Sequence, residues 1–248
     1  MDIQTGKKVA EALGVKELLP EVYRDLAQPA ARVAGEKLYV VANALGKAFD
    51  PLEGLVWGYD RIKEWMCSKV LEKIANEDPA NIQSPKLSVA GPIITNMHFA
   101  YEEEHLKEMY ANLLAAAMHK KKADLVHPLY VHVLQQLSPD EALILKQIRH
   151  LYSMNHESRI FTEMQGSKIR FPAFQKICRN AGLVHSEIDF AKYCDNMLRL
   201  KILNVHSDIY RSIDMSTRRD YTPYFSGNIE EMIEITEFGL DLIELCVE

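Results

Sequence analysis

Ser138-Pro139-Asp140-Glu141-Ala142-Leu143-Ile144-Leu145 divides this 248-residue chain in two. Ser138 suits a helix N-cap and Pro139 suits the first helical position. Glu141 falls at the third, from which its carboxylate reaches back to the Ser138 amide. An apolar run through Ile148 follows. From Ser138 onward the pattern reads helix, helix, helix, strand, strand, helix, the order of a winged helix. Upstream of Ser138 it reads as helices alone. We therefore expect a mainly α protein: an α-helical bundle over 1–137, then a winged-helix-like domain over 138–248 with a small β-hairpin.

Downstream of the cap, residues 153–170 read as a flexible connector containing Gly166. Phe171-Pro172 opens a short helix to Ala181, with Gly182 as the left-handed residue that ends it. Ser186 caps a helix that carries Phe190, Ala191, Cys194, Met197 and Leu200. Ile202 to His206 is strand-like, 207–228 reads as the wing, and Glu231 to Ile235 alternates as a return strand. Thr236-Glu237 starts a closing helix to Cys246.

Upstream, Pro29 opens a slim helix with a stripe of Val33, Ala34, Leu38, Val41, Ala42, Leu45 and Phe49. Asp50-Pro51-Leu52-Glu53 repeats the cap logic and starts a helix to about Ala75. One face holds Leu52, Leu55, Val56, Tyr59, Ile62, Met66, Val70 and Ile74. Trp57, Arg61 and Trp65 make a second stripe at i, i+4, i+8. Asn76 to Pro85 is a polar loop. Helical pattern resumes near Ala90-Gly91-Pro92, breaks near Glu102-Glu103-Glu104 and returns with Leu106, Met109, Tyr110, Leu113, Leu114 and Ala117. His127-Pro128 begins the last helix before the cap.

Composition narrows the classes of function. Hydrophobic residues make up 48% of the chain and charged residues 26%, which suits a packed domain, and the net charge of −6 gives no general attraction to phosphate or anionic lipid. The four cysteines, at 67, 178, 194 and 246, show no metal-type spacing and read as reduced core thiols. No apolar signal-peptide core follows Met1. Leu38 to Gly46 is uncharged but far shorter than the roughly 20 apolar residues of a membrane span. The expected setting is cytoplasmic.

Candidate chemistry is sparse. Glu102-Glu103-Glu104-His105 holds one Glu-x-x-His, and His98, Glu102 and His105 would share a helical face. Di-metal bundles use two such copies with further glutamates, so an acidic helix start is the simpler reading. Nine histidines are dispersed, without a nucleophile elbow or a phosphate-binding glycine loop. We expect no catalytic residues, no metal, no cofactor and no small-molecule substrate. In the helix after Ser186, Glu187, Asp189 and Asp195 outnumber Lys192 and Arg199. Residues 138–248 hold 13 Lys and Arg against 17 Asp and Glu. DNA readers carry the opposite excess, so protein contact is preferred there over nucleic acid. Arg211, Arg218 and Arg219 in the wing are the candidate partner or phosphate contacts. The 29–59 segment has the shape of a membrane hairpin, with Trp57 and Trp65 as candidate membrane or interface contacts. Its stripe is also what a helical bundle needs, and core packing is preferred.

The stretch Pro51-Leu52-Glu53-Gly54-Leu55-Val56-Trp57-Gly58-Tyr59-Asp60 resembles a signature of the abortive infection alpha family. The resemblance continues through Ala90-Gly91-Pro92, Tyr110-Ala111-Asn112-Leu113-Leu114-Ala115-Ala116-Ala117-Met118, His127-Pro128 and Leu137-Ser138-Pro139-Asp140-Glu141-Ala142. It covers roughly 20–150, and the C-terminal pattern is similar to the tail of many members. The resemblance implies a bacterial protein of antiphage defence and carries over no catalytic residues. The expected function is a non-enzymatic interaction module or effector with a protein partner or self-association. The alternatives are a membrane-active toxin using the 29–59 hairpin and a DNA-binding regulator acting through the winged helix.

Overall fold

The computed structural model describes residues 39–46, 58–153, 164–165, 168–183, 187–205 and 232–247. The chain divides into two compact units, Met1–Gln135 and Gln136–Glu248.

In the first unit, residues 39–46 are helical. They are followed by α1 (Tyr59–Ile74), a 3-10 turn (Pro79–Asn81), α2 (Leu87–Ala100), α3 (Glu104–Met118) and α4 (Leu129–Gln135). The centre is α3, which packs against α1, α2 and α4. Every residue from Met109 to Met118 is buried. A helix apolar all round belongs inside a core, and its alanines let neighbouring helices approach closely. The Tyr110–Met118 motif is therefore a packing motif. Tyr59, Ile62, Met66, Val70 and Ile74 are buried along α1, the face expected for them. Lys69 and Lys73 of α1 reach Glu108 of α3 at 3.1 and 3.3 Å. Burial opposes ionisation of Glu108, but the two lysines outweigh it and hold the carboxyl below its ordinary range.

Val41, Ala42 and Leu45 are buried, as the core reading of that stripe requires, and Ala44 is buried with them. The Ser84 hydroxyl donates to the Ala44 carbonyl at 3.1 Å. The continuous helix expected from Leu52 to Ala75 is corrected at Gly58. Its φ of 72° is left-handed, so α1 begins at Tyr59. Leu38, Phe49, Trp57 and the Asp50–Glu53 cap lie outside the described residues.

The second unit contains α5 (Pro139–Ser153), β1 (Met164–Gln165), β2 (Lys168–Arg170), α6 (Phe171–Asn180), α7 (Glu187–Arg199), β3 (Leu203–Val205), β4 (Met232–Ile235) and α8 (Glu237–Cys246). The strands form one antiparallel sheet in the order β1-β2-β4-β3. Leu203 pairs with Ile235 and Val205 with Ile233. The small sheet in a mainly helical chain matches expectation. The connector at 153–170 does not, because it contains β1 and β2, and Lys168 to Arg170 pair with β4. The wing expected at 207–228 and the Ser186 cap lie outside the described residues.

Helix ends in this unit follow local chemistry. Gly182, at φ 82°, ends α6 with its amide bonded to Arg179 and that of Leu183 bonded to Cys178. Lys201 plays the same part after α7, at φ 61°, although it is not glycine. Thr236 caps α8, its hydroxyl oxygen accepting from the Gly239 amide at 2.9 Å.

Candidate interaction surface

Ser138 and Glu141 close the capping box that begins α5. The Ser138 amide donates to Glu141 Oε2 at 2.7 Å, and the Glu141 amide donates to Ser138 Oγ at 3.2 Å. Glu141 is buried and also receives Asn196 Nδ2 of α7 at 2.8 and 2.9 Å on its two oxygens. Arg199 donates to Asn196 Oδ1 and, at 2.8 Å, to Gln136 Oε1. The Tyr193 hydroxyl donates to Asp140 Oδ2. Burial pushes the Glu141 carboxyl above its ordinary range, against the pull of the Ser138 and Asn196 bonds and the Arg199 charge. The polar groups of this motif join α5 to α7. A carboxylate with both oxygens so engaged is poorly placed to move protons to a substrate.

The remaining reactive side chains are also held in structure. The four cysteines are free and buried. Desolvation pushes the Cys67 thiol up to about 11, that of Cys178 to about 12, and that of Cys246 strongly upward, so these three thiolates are scarce at neutral pH. His119 Nε2 lies 3.1 Å from Glu77 Oε2, while its Nδ1 accepts from the Lys121 amide. Both ring nitrogens are thereby occupied, with Nε2 as the donor. Among the described residues no group of three or more His, Cys, Asp or Glu is placed to hold a metal ion. The shared face expected for His98, Glu102 and His105 does not form. Helix α2 ends at Ala100, Glu103 is extended at φ −99° and ψ 93°, and α3 starts afresh at Glu104.

That break builds a surface corner. Trp65 of α1 is half-buried and meets Tyr101, the residue capping the end of α2, edge to face at 6.5 Å. The Arg61 guanidinium lies 4.5 Å from the Tyr101 ring centre. The Lys107 ammonium of α3 sits 5.1 Å from the Trp65 ring and 5.4 Å from Tyr101, and bonds Glu104 at 2.6 Å. Such cation–π contacts contribute about 0.5–2 kcal/mol each and fix the corner's shape. Because this chain's own cations engage the rings, the stack is no cage for a ligand cation. Two residues before Tyr101, Phe99 stands 76% exposed, its ring 5.0 Å from His98. Exposed aromatic side chains of this size are enriched at protein interfaces.

Of the residues singled out in the sequence, Trp65 belongs to this corner, together with Arg61 of the same stripe. Trp57, Arg211, Arg218 and Arg219 lie outside the described residues. Phe99, Tyr101 and Lys107 were missed. Tyr101 and Phe99 sit in an apolar run whose core-facing members cannot be separated by spacing alone. Within α7, Lys192 is exposed and Arg199 is committed to Asn196 and Gln136. No described helix is long and apolar enough to cross a membrane.

The fold and this corner define a mainly helical protein of two units whose motif residues pack and cap. The family that matches, abortive infection alpha, does so over residues 58–246, more than half of the chain, and the chain belongs to it. The match takes in only Gly58, Tyr59 and Asp60 of the Pro51–Asp60 stretch. It extends through the second unit, well beyond the 20–150 range of the sequence resemblance. Membership implies a role in abortive infection defence against viruses. Neither the curated proteins nor the solved structures include a match to this chain.

Proposed function

We propose that this chain is a non-enzymatic interaction protein of abortive infection, binding a protein partner through the Phe99 corner. The observation that carries the reading is the 76% exposed Phe99 ring near the end of α2, two residues before Tyr101 of the Arg61–Trp65–Tyr101–Lys107 stack. Burying an aromatic side chain of this size favours association by about 1.5–3 kcal/mol. The cations of the stack are held by rings and a carboxylate, so little of their conformational freedom is left to lose. The second unit, a winged-helix-like module in this reading, serves as a rigid scaffold through its capping-box lock. The proposed setting is the bacterial cytoplasm, in keeping with four buried free thiols.

The membrane-toxin reading is weakened by the burial of Val41 and Leu45, which already pack within the unit. The DNA reading is weakened by the engagement of Arg199 with Asn196 and Gln136 and by the acidic balance of residues 138–248. Affinity capture from phage-infected cells, with the parent chain and a Phe99→Asp variant side by side, tests the proposal. The parent should retain a defined protein that the variant loses. Equal recovery by both, or capture of nothing specific by the parent, would refute contact through this corner.

A further inference from the structure

We propose that the opposite end of α2 carries a separate docking face for an anionic lipid surface. Of the five large hydrophobic side chains exposed among the described residues, three belong to this region: Leu87, Leu125 and Leu129, at 53%, 63% and 47% exposure. Leu87 begins α2, Leu129 begins α4, and Leu125 lies in the turn between α3 and α4. Backbone pairing draws the segments together. Gln83 N donates to the Met118 carbonyl at 2.9 Å, Lys120 N donates to Asn81 at 2.8 Å, and Ile82 bridges His119. Helices α2 and α4 are in contact. The Lys86 ammonium lies 3.9 Å from Asp124, which sets residues 86–87 beside 124–125.

The same strip exposes Lys86, Lys120, Lys121 and Lys122. Its carboxylates are Glu77, Asp78 and Asp124. Glu77 is bound to His119, and Asp78 accepts from the Ala80 amide at 2.9 Å. Asp124 and Lys86 are both well exposed, and a pair like that is weak in water. The four lysines exceed the three carboxylates by one, and Lys86 and Lys122 lie close in sequence to Leu87 and Leu125. Lysine and leucine are depleted from protein-interface hot spots, where Arg and aromatics prevail. Lysine with exposed aliphatic side chains is instead the composition of a membrane-surface contact. The leucines enter the headgroup boundary while the lysine stems lie along it and the ammonium groups meet lipid phosphates. The face is peripheral, consistent with no described helix being long and apolar enough to span a bilayer. It is independent of the protein-contact reading, since Leu87 and Phe99 sit about 18 Å apart along α2 at 1.5 Å per residue.

Vesicle co-sedimentation of the full chain tests this, using phosphatidylcholine vesicles with and without about 30 mol % phosphatidylglycerol in roughly 50 mM salt. The parent should partition onto the anionic vesicles at least about tenfold better than onto the neutral ones, and roughly 0.5 M salt should release it. Lys120→Glu/Lys121→Glu/Lys122→Glu and Leu125→Ser/Leu129→Ser should each lower binding about tenfold. These side chains are exposed, and unchanged circular dichroism melts will confirm folding. A single Leu125→Ser serves if the double variant melts early. Phe99→Asp should bind vesicles like the parent, which separates this face from the corner. Absence of binding to anionic vesicles at low salt would overturn the proposal. So would loss with the lysine variant but not with the leucine variants, because the face would then be a general anion binder for nucleic acid or acidic protein.

Discussion

Gly239→Ala is expected to destabilise the second unit although alanine is the better helix former. Gly239 is the third residue of α8 and is buried. A Cβ at this position would lie 2.3 Å from the Ile202 carbonyl oxygen, 3.1 Å from its carbon and 3.1 Å from Ile235 Cγ2. The first contact is with backbone, so no side chain can rotate away and α8 must shift. That carbonyl already accepts the Thr236 amide at 3.1 Å, and the Thr236 hydroxyl donates to Lys201 at 2.6 Å while capping Gly239. Overpacking costs about 1–3 kcal/mol, and weakening the Thr236 bond and cap costs about 1 kcal/mol each. Alanine returns about 1 kcal/mol of helix propensity. The net loss is about 2–4 kcal/mol. Chemical denaturation followed by far-ultraviolet circular dichroism reads the loss. Hydrogen exchange should locate it in β3, β4 and α8. Gly91→Ala is the control. Its Cβ would meet only Leu87 Cδ1, at 3.9 Å, and the propensity gain is offset by the following Pro92 ring, so it should stay within about 1 kcal/mol of the parent. A Gly239→Ala chain as stable as the parent would mean that the close approach of α8 to Ile202 is wrong.

Glu141→Gln should cost about 1–3 kcal/mol, because an amide nitrogen would then face a donor of Asn196 or Ser138. The folded Glu141 pKa is raised, so the folded state holds this proton more tightly than the unfolded state does. The Glu141 contribution to stability is therefore present below the ordinary carboxylate range and declines as pH rises through the folded pKa. Denaturation midpoints measured from acid to neutral pH should lose that decline in Glu141→Gln, and an unchanged slope would contradict it. Thiol labelling of the native chain near neutral pH should be slow at Cys67, Cys178 and Cys246 and complete only on unfolding, as read by mass spectrometry. Rapid native labelling of any of the three would show that its burial is wrong.

Much of this fold could be read from local chemistry. Ser138, Pro139 and Glu141 announce α5, and Gly182 and Thr236 mark helix ends, because each of these residue types answers one backbone demand. Leu203 to Val205 and Met232 to Ile235 were found because alternating apolar residues survive even in short strands. Strands β1 and β2 were missed, being two and three residues long and too brief for a period to show. The Gly166-Ser167 dipeptide between them was the available signal, since Gln165 pairs with Lys168. Gly58 looked like one more small residue, and its left-handed backbone is what sets the start of α1 at Tyr59. The Phe99 corner was illegible for a different reason. Residues 93–101 mix six apolar side chains with Thr95, Asn96 and His98, so which side chain escapes the core depends on how α1 and α3 cover α2. Lys107 reads as an ordinary solvated lysine until the turn at 101–103 brings the two rings beneath it.

Phage plating on bacteria that express the parent chain or a folded Phe99→Asp variant addresses the contact mechanism most directly. Contact through this corner predicts that the parent lowers plaque numbers and that the variant, equally abundant and equally stable, does not. A Phe99→Asp chain that protects its host as fully as the parent would contradict it.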